Sequence, residues 1–139
     1  MKFVPSTSMK VDVLPEQQDQ ISTKETIEKG IADKAYLGFD IYDEEKLVGF
    51  AALCKYKKAC YFLWNYAIDY RYQNQHYGTR ALIELAELFK KEYGARSLVT
   101  TYIYGNEHAK HVYEKVGFVE YNVVDEPDCH EVDMKLKLK

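Results

Sequence analysis

Hydrophobic and polar positions along the chain follow two periods. Alternation with a period of two over 36–42 and 131–139 is typical of strands that bury one face. The nearly continuous apolar run over 59–68 predicts a central strand that is buried on both faces. An apolar stripe at helical spacing, ending at Gly94, predicts a helix over 78–93.

Shorter elements complete the pattern. A capping box, Ser22-x-x-Glu25, predicts a helix near 23–34, and a second short helix is predicted over 106–116. Further strands are predicted over 47–54, 97–104 and 118–123, with an edge strand at Phe3-Val4 or at Val11 and Val13. The resulting order, β-α-β-β-β-α-β-α-β-β, predicts an α/β (α+β) fold in one domain over 1–139.

Composition narrows the class of protein. The 139 residues are 47% hydrophobic, which is enough apolar side chain for one core. A formal net charge of -3 argues against a nucleic-acid partner. No run approaches the ~18 apolar residues that a membrane helix needs, and the N-terminus lacks the apolar core of a signal peptide. Three cysteines without a CxxC pair are typical of reduced thiols, which predicts a cytoplasmic protein.

The first segment with candidate chemistry, Gln73–Thr79, joins an apolar strand to a helix. Backbone N–H groups at a helix start are unpaired and lie at the positive end of the helix dipole, so such a junction can bind phosphate or pyrophosphate. Asn74 tolerates a positive φ, and Gly78 allows a ligand to approach the backbone closely. The alternative is an ordinary loop with a glycine at the helix start. Because a Walker pattern is missing, nucleotide hydrolysis is not expected.

The second segment, Gly105–Phe118, contains a short helix that leads into a strand. At helical pitch Asn106 and Tyr113 lie on one face, so a polar group at the helix start and a phenol two turns later can hold one ligand between them. The alternative is that Tyr113 is a core aromatic. His108 and His111 are spaced i, i+3, but no third ligand occurs at matching spacing, so no metal site is expected.

Together the two segments resemble the GNAT superfamily of acetyl-CoA-dependent N-acetyltransferases. The family's second motif, N-x-x-A-x-x-L/V-Y-x-K-x-G-F, matches at every position from Asn106 to Phe118. Its pyrophosphate motif, Q/R-x-x-G-x-G/A, matches at Gln73 and Gly78, whereas His76 stands in place of the first glycine. The resemblance covers residues 36–139. It implies a mixed, mostly antiparallel sheet of six to seven strands, flanked by helices, in which one parallel pair of strands splays apart.

The resemblance also implies an acetyl-CoA site in the V between the splayed strands 59–68 and 97–104. The implied cofactor-binding residues are Ala67, Ile68, Gln73, Asn74, Gln75, His76, Tyr77, Gly78, Thr79, Asn106 and Lys115. Tyr113 is the implied catalytic residue, a proton donor to the departing thiolate. The implied reaction transfers an acetyl group from acetyl-CoA to a primary amine of a small molecule, by direct attack in a ternary complex. The residues do not single out a general base, and a water relay to a carboxylate is one alternative.

Among relatives, the chain is most similar to bacterial spermine/spermidine (diamine) acetyltransferases, through Val48-Gly49-Phe50 and Ile68-Asp69. This similarity suggests a polyamine or diamine acceptor, although Leu63–Tyr66 stands where those enzymes have acidic residues. Two alternatives stay open: a non-catalytic or regulatory acyl-CoA-binding domain, suggested by His76, and an acetyltransferase that acts on a protein amine. The family also implies a homodimer, with Glu131–Lys139 as the candidate edge strand; lysines on that strand are equally consistent with a monomer whose edge is protected.

Overall fold

The computed structural model describes residues 1–138, which form one seven-stranded sheet and three α-helices. The strands are β1 (Lys2–Pro5), β2 (Leu37–Asp43), β3 (Lys46–Lys57), β4 (Cys60–Ile68), β5 (Ser97–Ile103), β6 (Val119–Glu126) and β7 (Cys129–Lys137). The helices are α1 (Lys24–Ala32), α2 (Tyr77–Glu92) and α3 (Glu107–Val116), and short 3-10 helices lie at Pro15–Gln20 and Tyr70–Tyr72. This succession of strands and α-helices confirms the predicted order. Lys139, the last residue of the predicted C-terminal strand, lies outside the described residues.

One parallel pair interrupts an otherwise antiparallel sheet. The strand order is β1-β2-β3-β4-β5-β7-β6, and β4 and β5 are the parallel neighbours. They pair from Cys60 opposite Ser97 to Leu63 opposite Thr100. Both strands continue beyond that point, β4 by five residues to Ile68, so their carboxyl ends diverge into a V. The structure therefore confirms the fold class, including the splayed pair.

The main core lies between the sheet and α2. Leu82, Ala86 and Phe89 of the predicted apolar stripe are buried. The Phe89 ring packs edge-on against Phe39 and Tyr61, with ring centroids 5.9 and 5.1 Å apart. Every residue of β4 is buried or half-buried, as the continuous apolar run predicted. Because burial of apolar surface is the main stabilising contribution to a fold, this packing holds the sheet, including the start of β4, against α2.

The prediction that the C-terminal strand is an edge is wrong. β7 lies between β5 and β6, and it pairs with both over most of its length. The edges of the sheet are β1 and β6. Alternation reports which face of a strand is buried and says nothing about how many neighbours the strand has, so the pattern at 131–139 is the same for an edge strand and an inner one.

The start of α1 also differs from the sequence-based prediction. The cap is Thr23, whose hydroxyl accepts from the Thr26 N–H at 3.2 Å, and not Ser22. Ser22 is engaged elsewhere: its N–H donates to Asn65 Oδ1 at 3.0 Å, and its hydroxyl accepts from Asn65 Nδ2 at 3.2 Å. A long-range pair with β4 therefore replaces the local capping box. None of the described helices is long and apolar enough to cross a membrane.

Candidate active site

A cleft opens where β4 and β5 diverge, and four parts of the chain line it. They are the end of β4, the start of α2, the inner face of α3 and the 3-10 helix Pro15–Gln20. The cleft continues between the start of α2 and α3 into a second groove, which Asn74, His76, Thr79 and Lys115 line. The two strand-to-helix junctions predicted to carry chemistry thus face one continuous space.

The junction before α2 exposes backbone donors. Asn74 and His76 both take left-handed backbone conformations, with φ of 62° and 66°. The first helical hydrogen bond runs from the Arg80 N–H to the His76 carbonyl at 3.1 Å. The N–H groups that precede it, on residues 77–79, belong to the unpaired first turn. Thr23 and Asn106 cap α1 and α3 with side-chain oxygens, whereas within the described chain the cap of α2, His76, makes no such bond. The start of α2 is therefore the helix start that is left available to an anion.

Gly78 leaves the groove open where its two walls come close together. A Cβ at this position would meet Ile68 of β4 at 3.7 Å and Val112 of α3 at 3.8 Å, which are ordinary van der Waals distances. Both of those residues also line the groove. A larger side chain at Gly78 would therefore occupy space between the walls of the cleft without first disrupting the fold.

Tyr113 lies on α3 with its ring against the core. It is 8% exposed, and its ring centroid is 5.5 Å from that of Phe118. Asn106 starts the helix by accepting from the Ala109 N–H at 3.2 Å. Burial raises the pKa of the Tyr113 hydroxyl, and interaction with the Thr100 side chain offsets part of that rise. The phenol is therefore protonated at neutral pH and can act as a hydrogen-bond or proton donor.

A second phenol, on Tyr66 of β4, lines the same cleft beside Tyr113. Its hydroxyl donates to the Gly78 carbonyl at 2.6 Å and so ties the β4 arm to the first turn of α2. Burial, and then the neighbouring Tyr113, raise the pKa of Tyr66 well above its ordinary value. The motifs did not predict a role for Tyr66. The sequence held no signal for it, because an aromatic residue on a nearly continuous apolar strand is expected for packing.

The 3-10 helix Pro15–Gln20, which we call the glutamine strap, crosses from one arm of the V to the other. Gln17 and Gln73 exchange two amide hydrogen bonds, of 3.0 and 2.9 Å, next to the end of β4. Gln73 also donates to the Ile68 carbonyl at 3.0 Å. On the other side Gln20 accepts from Asn106 Nδ2 at 2.7 Å. Gln73 and Asn106 therefore line the cleft, but their side-chain amides hold the strap, and their role in cofactor binding stays a prediction.

The remaining predicted site residues fall into two groups. Ala67 and Ile68 line the β4 arm, and their opposite edge pairs with β3. The side chains of Gln75 and Tyr77 turn away from the cleft: Gln75 donates to the Arg71 carbonyl at 3.3 Å, and the Tyr77 hydroxyl donates to Asp43 at 2.6 Å. At these two positions only the backbone is in a position to meet a ligand. Among residues 1–138, no group of three or more His, Cys, Asp or Glu is arranged to hold a metal ion.

A family model described as the acetyltransferase (GNAT) family matches residues 8–118. Because this match spans most of the chain, the chain belongs to the acetyltransferase (GNAT) family and is an N-acetyltransferase, which transfers an acetyl group to an amine. The match starts well before residue 36, where the motif-based resemblance began, and so includes the glutamine strap. No curated protein sequence matches the chain.

Solved structures with the same fold include enzymes with different acceptors. An acetyltransferase from Bacillus subtilis in complex with CoA is 17% identical with a TM-score of 0.72, covering 99% of this chain and 100% of that one. Spermidine N-acetyltransferase from Vibrio cholerae, in complex with CoA and spermine, is 18% identical with a TM-score of 0.67, covering 81% and 72%. The ribosomal-protein-S18-alanine N-acetyltransferase from Escherichia coli is 27% identical with a TM-score of 0.64, covering 79% and 76%.

Proposed function

We propose that this chain acetylates a primary amine of a small molecule, a diamine or polyamine, by direct attack on acetyl-CoA in a ternary complex. One observation supports this proposal above the others. The uncapped start of α2 and the protonated phenol of Tyr113 face one cleft between the two splayed strands. The first can hold the phosphates of the co-substrate, and the second can assist departure of its sulfur.

The phosphates and the pantetheine arm of acetyl-CoA each have candidate binding groups in this arrangement. The unpaired N–H groups at residues 77–79 can donate to an anion, and Lys115 adds a positive charge at the same groove. The chain has a formal net charge of -3, so a polyanion must be bound by such local groups and not by the overall field. Beyond Leu63 the edge of β4 that faces β5 is free of strand pairing within the described residues, which leaves backbone around Ala67 and Ile68 for the pantetheine amides.

The chemistry requires one bond to form, one to break and two proton movements. The neutral acceptor nitrogen attacks the thioester carbonyl, the C–S bond breaks, and the nitrogen releases one of its protons to solvent. Tyr113 donates to the departing thiolate. An ordinary phenol of pKa about 10 is a weaker acid than a thiol of about 8.5. Burial raises the pKa of Tyr113 further, so stabilisation by hydrogen bonding accounts for much of its effect. The attacking amine, with an ordinary pKa near ~10.4, must first be neutral.

A histidine in place of a motif glycine, His76, suggests the alternative of a non-catalytic acyl-CoA-binding domain. Its φ of 66° is the left-handed conformation that glycine adopts most easily. The loop thus has the backbone shape that a glycine would allow, with the N–H groups of the first turn of α2 still unpaired. This favours a working co-substrate site over a degenerate one.

A panel of amines, assayed for thiol release from acetyl-CoA, tests the proposal. The panel should contain diamines, polyamines, monoamines and a peptide with a free N-terminus. We expect turnover that depends on both substrates and is fastest with a diamine or polyamine. Faster turnover with the peptide would identify a protein amine as the acceptor. Calorimetric binding of CoA without turnover on any amine would contradict the proposal.

A further inference from the structure

Glu16 lies on the glutamine strap and faces the cleft that Tyr66 and Tyr113 also line. It is the one carboxylate among the described residues that line this part of the cleft. We infer that Glu16 binds the second, non-reacting ammonium group of a diamine or longer polyamine acceptor. This inference rests on the proposed function, because it presumes that the acceptor amine enters the cleft next to Tyr113.

Side-chain contacts at two points fasten the strap that carries Glu16. Gln17 is paired with Gln73 on the β4 side, and Gln20 with Asn106 on the α3 side. The amide groups near Glu16 are therefore engaged with each other. The Glu16 carboxylate has no ion-pair partner among the residues that the structure describes. It remains available to a cation that enters the cleft.

The carboxylate suits the distal nitrogen of the acceptor and not the reacting one. A carboxylate beside an amine favours the charged ammonium form. A protonated nitrogen has no lone pair with which to attack a thioester, so a carboxylate next to the reacting nitrogen would oppose the reaction. Glu16 is solvent-exposed at the rim of the cleft, whereas Tyr113 is buried at its inner part. A diamine that spans the two can be charged at the rim and neutral at the reacting end.

Two similar amines and two similar variants test this inference. Putrescine and n-butylamine share a four-carbon chain and differ in the second ammonium group. Glu16→Gln removes the negative charge, and Asp19→Asn removes one from the same strap at a residue that is not among those that line the cleft. We expect Glu16→Gln to raise the KM for putrescine about fivefold, as for loss of an exposed ion pair, with KM for n-butylamine and for acetyl-CoA unchanged. Asp19→Asn should leave all three values unchanged.

Calorimetric titration of putrescine into the CoA-bound protein gives a readout besides activity. We expect Glu16→Gln to weaken this binding by the same factor of about five, and added salt to reduce the difference between wild type and variant. Equal effects of Glu16→Gln and Asp19→Asn, equal losses on both amines, or unchanged putrescine binding in Glu16→Gln would overturn the inference. If thiol release fails with every amine while putrescine binding still depends on Glu16, then the proposed function fails and the ammonium site stands.

Discussion

Tyr113 is the residue on which the proposed chemistry depends most. Tyr113→Phe removes only the hydroxyl, and the ring contact with Phe118 survives. We expect kcat to fall on the order of a hundredfold, in line with the loss of one general acid. The KM for acetyl-CoA should change little, because the hydroxyl acts mainly in the transition state. Steady-state kinetics on the best amine of the panel measures both values.

Tyr104→Phe is a matched control for that experiment. Tyr104 follows β5 and is 69% exposed, so loss of its hydroxyl should leave kcat unchanged. Full turnover in Tyr113→Phe would make the phenol a packing residue, which is the alternative that the sequence left open.

The same hydroxyl predicts how stability depends on alkaline pH. Burial raises the pKa of Tyr113 above its ordinary value near 10, so the folded protein holds this proton where the unfolded chain releases it. The contribution to stability is complete below pH ~10 and is lost as the pH rises above that value. Above pH ~10 we expect the melting temperature of wild type to fall more steeply than that of Tyr113→Phe. Circular dichroism melts between pH ~8 and ~11 measure it, and parallel curves for the two proteins would contradict the prediction.

The sequence predicted the position of Tyr113, but it did not predict the contact made by Tyr66, the second phenol that lines the cleft. Tyr113 lies in a motif whose register is set by Asn106, Gly117 and Phe118, so its place on α3 followed from the pattern alone. Tyr66 lies on an apolar strand, where an aromatic residue is expected for packing. Its hydrogen bond to Gly78 joins residues that are 12 positions apart and depends on where α2 docks against β4. Periodicity holds no information about that docking.

At the scale of the element, a substitution at the start of α2 should weaken co-substrate binding without lowering the stability of the fold. Gly78→Ala introduces a Cβ at ordinary contact distance from Ile68 and Val112, so the fold should accept it. Alanine in a helix is up to about 1 kcal/mol more favourable than glycine. We therefore expect unfolding to occur at equal or higher denaturant concentration, while the Kd for CoA rises about tenfold, equivalent to about 1.4 kcal/mol. Gly78→Val should weaken binding further, and calorimetry with normal affinity in both variants would place the co-substrate elsewhere.

A second substitution on the same loop, His76→Gly, should stabilise the fold without weakening CoA binding. A non-glycine residue in the left-handed region is held at a cost of about 1–3 kcal/mol, part of which glycine recovers. We expect His76→Gly to raise the free energy of unfolding by up to about 1 kcal/mol, with CoA affinity equal or improved. Asn74→Gly is the control, because asparagine tolerates its φ of 62° better and the gain should be smaller. A loss of CoA affinity in His76→Gly would mean that the imidazole itself holds the co-substrate.

The glutamine strap is the element that the sequence could not predict. Its six residues carry no apolar period, and none of them is buried. It is held by amide pairs between residues 56 and 86 positions apart in the chain. Local pattern detects helices and strands that bury a face, so a segment fixed only by long-range polar contacts leaves no periodic signal.

At the scale of the whole molecule, the exposed edge of the sheet suggests assembly. Val119, Tyr121 and Val123 on the edge strand β6 are each more than half exposed. We predict a homodimer that covers this strand. Light scattering at micromolar concentration should give twice the 16.3 kDa mass of the chain, and Val123→Lys should reduce that mass to a single chain. Ile83→Lys, on an exposed position of α2, is the control. A mass of 16.3 kDa for wild type would rule out a stable dimer.

The overall architecture was accessible from sequence to the extent that burial patterns determine it. The order of strands and helices and the central position of β4 were predicted correctly from periodicity. The splayed pair was implied by the family resemblance, and the structure confirms it. The neighbours of β7 were not, because pairing partners depend on how the hairpin 126–129 folds back and not on which residues face the core. That residues 1–139 form one domain stays a prediction, and a single cooperative unfolding transition would support it.

The glutamine strap has a consequence for how the enzyme turns over. Three amide hydrogen bonds fasten it, each with a net worth of about 1 kcal/mol, and no buried apolar side chain adds to them. Detachment therefore costs about 3 kcal/mol, which corresponds to roughly one open molecule in a hundred at equilibrium. Because the strap spans both arms of the V, its detachment would open the cleft while the sheet and α2 remain in place.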